Sequence, residues 1–208
     1  MLFNLSLAQL VILIPVFLFA LTVHEFAHGY VAGLCGDPTA RLQGRLTFNP
    51  MRHLDPIGTL AIFLMGFGWA RPVPVDPRYF KKPKRDMVLV ALAGPGANLL
   101  TMVASFLILL GLAMAGPAIP PFVGQPLTLM FTWSIYINSI LAIFNLIPIP
   151  PLDGSKVLIT ILPPKQARMV ASMEGYGFFI ILILAFTGVL GKIISLGQHL
   201  LFNTLLAW

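Results

Sequence analysis

From Leu7 to Val23 the chain reads LAQLVILIPVFLFALTV without one charged side chain, and His24, Glu25 and His28 follow within five positions. A run like this is constrained to a helix in a bilayer, where backbone groups must be satisfied within the segment itself. The rest of the chain agrees: 58% of its 208 residues are hydrophobic and 10% charged, with mean hydropathy +0.91. A soluble domain is nearer to about a quarter charged. The run has no positive leader and no small-residue cleavage site, so it reads as a retained helix rather than a signal peptide.

Apolar segments at 5–33, 87–115, 127–148 and 176–190 are candidate spans, with shorter or weaker stretches at 57–70 and 192–207. A span needs about 20 apolar residues, and PIGTLAIFLMGFGWA falls short, so it reads as re-entrant or packed at the membrane edge. Nine of the thirteen basic residues, Arg41, Arg45, Arg52, Arg71, Arg78, Lys81, Lys82, Lys84 and Arg85, lie in the loops beside that stretch. The connection 116–126 has no charge. The positive-inside rule then places the basic loops in the cytoplasm and 116–126 outside. A net charge of +6 is in this way a membrane-surface feature, and no nucleic-acid partner is expected. In 39–49, Ala40, Leu42, Leu46 and Phe48 alternate with polar residues, a period of two that predicts a strand. The proline-bearing stretch 71–80 reads as edge or coil. The fold class expected is an all-α polytopic membrane protein: about four to six transmembrane or re-entrant helices, with a small β-sheet at the cytoplasmic membrane face. Residues 1–208 read as a single domain, without repeat or linker. Cys35 stands alone, so no internal disulfide or thiolate cluster is available.

A charged side chain at a helix centre costs roughly 2.5–3.5 kcal/mol in the bilayer, and HEFAH needs a reason to bear that cost. Residues four apart share a helix face, so His24 and His28 can ligate one metal ion while Glu25 projects beside it toward a water. This is the arrangement of zinc hydrolases. Two imidazoles suit one zinc ion, a catalytic site adds one more protein ligand, and Glu25 becomes the candidate general base. The third ligand has to come from elsewhere, with His53, Asp55, Asp153, Glu174 and His199 as candidates. Asp153 stands out in FNLIPIPPLDG, where Pro148, Pro150 and Pro151 stop a helix. Its competing role is N-cap of the helix that follows.

Taken together, HEFAH, FNPMRHLDPIG, AGPGAN and FNLIPIPPLDG, in this order between residues 24 and 154, resemble the site-2 protease family of intramembrane zinc metalloproteases. The resemblance implies that Asp153 is the third zinc ligand. With no evident PDZ or CBS domain, it points to the minimal branch of that family. The activity implied is hydrolysis of peptide bonds within or next to transmembrane helices of substrate proteins, in a multi-pass protein of a prokaryotic cell membrane; the positive-inside rule puts the active site toward the cytoplasmic half. The bilayer and a transmembrane protein substrate are the expected partners.

Other polar residues carry weaker signals. Asn145, eight positions before Asp153, can hold a substrate carbonyl or stabilise an oxyanion, or bond between helices. His53 is either substrate-facing or bonded to loop backbone. Asn98 is expected to serve helix packing, and His199 to be structural. The alternative function is a metal-ion or proton transporter using the same His, Glu and Asp groups. Such transporters often show broken helices in two related halves, and one proline break without a repeat speaks against it.

Overall fold

A computed structural model describes residues 6–65 and 68–205. Its helices are α1 (Leu7–Leu34), α2 (Thr39–Leu42), α3 (Pro56–Met65), α4 (Pro83–Ala115), α5 (Pro121–Leu146), α6 (Asp153–Ile161), α7 (Pro164–Ser172), α8 (Glu174–Phe186) and α9 (Val189–Leu205). Ser6 starts α1 in a reciprocal capping box with Gln9. Among the described residues α1, α4 and α5 are long and apolar enough to cross a membrane, and α7 with α8, bent by 66° at their junction, makes a fourth if the pair counts as one span.

Two expectations are corrected. No strand or sheet exists among the described residues, where an isolated antiparallel bridge between Leu54 and Ala70 is recorded. The stretch 39–49, expected as a strand, begins as α2 and continues as turn and bend. Asp37 turns the chain into that helix by accepting from the Thr39 amide, and Gly44 adopts a left-handed φ of 62°. The neighbouring 71–80 stretch cannot complete a ladder, because Pro72, Pro74 and Pro77 have no N–H to donate. The second correction concerns spans: the apolar run at 176–190 is divided by Gly188 between α8 and α9, and α8 has only 13 residues. The 57–70 stretch yields α3, and Gly66 and Phe67 lie outside the described residues.

The core is a seam between α1, α4 and α5. On α1 the buried residues Val16, Ala20, His24, His28 and Ala32 recur every four positions, one helix face. α1 packs on α4, where Val90, Ala91, Gly94, Asn98, Met102 and Ser105 are buried, and on α5, where Ser134, Ile135, Asn138, Ser139 and Ala142 are. Small residues allow this close approach, which stands in for the hydrophobic effect inside lipid. After α5 the proline-rich turn sends α6 back against α4 and α5. A Cβ on Gly154 would lie only 2.7 Å from the Ile147 carbonyl oxygen, so glycine there lets α6 start against the end of α5.

Candidate active site

That return brings together residues more than a hundred positions apart. His24 Nε2 and His28 Nε2 lie 3.0 Å from each other, and Asp153 Oδ2 lies 3.2 Å from the first and 3.0 Å from the second. All three side chains are buried. Asp153 is the first residue of α6, while Leu152 holds the N-cap position without a side-chain bond. The capping role weighed for Asp153 is therefore not the one it has.

The outer ring nitrogens fix the protons. His24 Nδ1 is 2.6 Å from Asn98 Oδ1, and His28 Nδ1 is 2.7 Å from the Val90 carbonyl oxygen. Both oxygens accept, so each neutral ring carries its proton on Nδ1 and leaves Nε2 with a lone pair. Two such nitrogens and a carboxylate oxygen then face one point with no proton between them, an arrangement that repels itself unless a cation sits there. Two imidazoles and a carboxylate are a donor set for zinc, and zinc bonds of 2.0–2.1 Å in a tetrahedron would space ligand atoms roughly 3.3–3.4 Å apart. The cluster fits one zinc ion with a slight outward adjustment. Gly94 makes the room, since a Cβ there would collide with both imidazole rings.

Glu25 is buried beside the cluster, and its Oε2 accepts from the Val73 amide at 2.8 Å. The same carboxylate lines a cavity of about 380 Å³ with His24, His28, Asp153, Asn145, Lys156 and Glu174. Val73, Val75, Met87, Val90 and Ile159 supply its apolar wall. Lys156 Nζ lies 2.9 Å from Asp153 Oδ1, so one carboxylate oxygen faces the lysine and the other the histidines. On the loop side Arg45 donates to the carbonyls of Arg71 and Pro72 at 2.8 and 3.1 Å. Burial, and then Arg71, pull its guanidinium below the ordinary value, while Glu25 opposes them. Further along, hydrogen bonds from Arg78 hold the Asp76 carboxyl below the usual carboxylate range.

The remaining sequence candidates are distributed differently. Asn145 is on the cavity wall, its Nδ2 donating to the Leu141 carbonyl at 2.9 Å. His53 is buried away from the cavity with Nε2 2.8 Å from the Thr47 carbonyl oxygen, the backbone-bonded alternative. Asp55 caps α3 through the Gly58 amide, and His199 pairs with Asn203 on the exposed face of α9. Asn98, expected only to pack, bonds directly to a cluster histidine. Asn138, which the sequence reading did not single out, bonds to Asn98 in turn. The available signal was an amide inside an apolar helix.

A zinc site with a carboxylate at its side is what amide hydrolysis needs, and here both histidines and Glu25 lie on α1, a helix long and apolar enough to span a membrane, while Asp153 comes from the short α6. The class is that of membrane-embedded zinc metalloproteases. Comparison with known proteins narrows it: the model of Peptidase family M50 matches residues 118–186. A Bacillus subtilis (strain 168) protein named "Putative zinc metalloprotease YwhC" is 45% identical over 166 residues, 80% of this chain and 76% of the relative. "Putative zinc metalloprotease Rip2" of Mycolicibacterium smegmatis is 32% identical over 192 residues, 88% of this chain and 69% of the relative. No solved structure matches the chain significantly. The chain belongs to peptidase family M50, the site-2-protease-like zinc metalloproteases. That membership decides for the intramembrane zinc protease over the transporter.

Proposed function

We propose that His24, His28 and Asp153 hold the single catalytic zinc ion, and that Glu25 is the general base for cutting transmembrane protein substrates within or next to their membrane helices. The observation that carries this is the convergence of His24 Nε2, His28 Nε2 and Asp153 Oδ2 on one point beside Glu25. Zinc, when bound, supplies Lewis-acid polarisation of the attacking water and of the scissile carbonyl. The protein's own groups do the rest. The Val73 amide holds Glu25 Oε2 and thereby orients the carboxylate, leaving Oε1 to take the proton of the attacking water and pass it to the leaving amine. Lys156 holds Asp153 Oδ1 and turns Oδ2 toward the histidines. Asn145, which lines the cavity, holds a substrate carbonyl in this reading with its second amide proton.

A helical peptide bond is shielded by its own backbone, so the substrate has to unwind locally to present an extended segment to this cavity. Valine, isoleucine and methionine on the wall suit apolar side chains flanking the bond. The basic loops between α1 and α4 support a cytoplasmic position for the adjoining half of the bundle, and so for the site. Residues 1–208 act in this reading as one catalytic domain.

The test is cleavage of a fluorogenic single-span peptide, interrupted by Gly-Pro, by protein reconstituted in lipid vesicles. Wild type cuts it, chelation stops it and zinc restores it. Glu25→Gln keeps its zinc and does not cut. Cleavage surviving in that variant, or in metal-stripped protein, overturns the assignment.

A further inference from the structure

Behind His24 runs a chain of hydrogen bonds through three helices, and it has a direction. His24 Nδ1 donates to Asn98 Oδ1 at 2.6 Å. Asn98 Nδ2 donates to the Ala20 carbonyl at 3.1 Å and to Asn138 Oδ1 at 2.8 Å. Asn138 Nδ2 donates to the Ser134 carbonyl at 2.9 Å and its hydroxyl oxygen at 3.2 Å. Asn98 and Asn138 are fully buried.

A carboxamide has nearly the same shape when its oxygen and nitrogen are exchanged, so packing alone does not orient Asn98. Its partners do. A reversed Asn98 would point its NH2 at His24 Nδ1, which would have to accept. The ring proton would then move to Nε2, the nitrogen that faces the metal position. Two accepting oxygens, of Ala20 and Asn138, hold the NH2 end on the far side. Asn138 is held in turn, because the Ser134 carbonyl can only accept. The anchoring end of the chain is thus a backbone carbonyl of α5.

We infer that Asn138 is a positioning residue: by accepting from Asn98 it holds His24 in the Nδ1–H tautomer that leaves Nε2 for zinc. Asn138 does not line the cavity, and its hydrogen bonds go to Asn98 and Ser134 rather than to any of the three cluster residues. The inference rests on His24 being a zinc ligand, as proposed above. Partners behind metal ligands typically contribute 10–100-fold to metal affinity. For a group one residue further out, the lower end, about tenfold, is expected.

The experiment uses the whole 208-residue chain in detergent, labelled with 15N-histidine, stripped of metal and held at alkaline pH. Ring-nitrogen shifts report the tautomer, and competition with a chelator reports zinc affinity. Wild type shows His24 as Nδ1–H. Asn138→Leu gives mixed tautomers and about tenfold weaker zinc. Asn138→Ser, whose hydroxyl can bond the Ser134 carbonyl but not reach Asn98, carries the same expectation should the leucine variant fail to fold. A wild-type His24 protonated on Nε2 overturns the inference, as does an unchanged tautomer in the foldable Asn138 variant. His24→Ala keeps the two levels apart: zinc retained there removes the ligand assignment itself, whatever the Asn138 variants do.

Discussion

Two unlike regions flank the cavity. On the helical side each polar group leading to the cluster has a partner: His24 with Asn98, His28 with the Val90 carbonyl, Asn98 with Asn138, Ser105 with Ser134. On the loop side Arg45 Nε and His53 Nδ1 are buried without a partner, and the segment around Val73 is held by Glu25 and Arg45. Hydrocarbon offers no water to satisfy an unpaired group, so the groups leading to the cluster are paired within the bundle, although Trp133 Nε1 on α5 is buried without a partner. Loops nearer the membrane surface escape that demand. The difference implies a division of labour: the bundle sets the metal, and the loop side sets what reaches it.

The largest effect that would break this division is a change on the helical side. His24→Ala should lose zinc and cleavage together, whereas His53→Ala should keep its zinc, both read by metal analysis of purified protein. Glu25 touches both sides, and Glu25→Gln sharpens the boundary: cleavage should fall by roughly 10²–10⁴-fold with zinc unchanged. Next comes a single methyl group. Gly94→Ala places a Cβ against both imidazoles and should weaken zinc by about 10–100-fold in chelator competition. Gly96→Ala, where a Cβ meets nothing within 4 Å, should be silent. Arg45→Met frees the Arg71 and Pro72 carbonyls; zinc affinity should stay, and KM for a membrane-helix substrate should rise on the order of fivefold, the weight of about one net hydrogen bond. A zinc loss there would erase the distinction between the two sides. The smallest effect is expected for Lys156→Met, at most about fivefold in zinc affinity, because that lysine is half exposed and water already screens its ion pair.

What the sequence determined by itself is what short range and the solvent determine. The membrane class followed from uninterrupted apolar runs. The pairing of His24 with His28 followed from the helical repeat, and Glu25 from its place between them. Asp153 drew attention because three prolines break a helix just before it, though selecting it as a ligand took the family resemblance. Period two over 39–49 misled, because alternation is a local pattern while a strand needs a neighbour with amides to share, and the adjoining stretch is rich in proline. The tertiary structure alone decided which groups face each other across large sequence separations. It took packing of α1 on α4 and α5 to set Asn98 behind His24 and Asn138 behind Asn98, and the return of α6 to bring Asp153 to the histidines. It also placed the Val73 amide on Glu25. Hydrogen-bond partners tens of residues apart are chosen by how helices and loops pack, and a linear pattern does not encode that choice position by position.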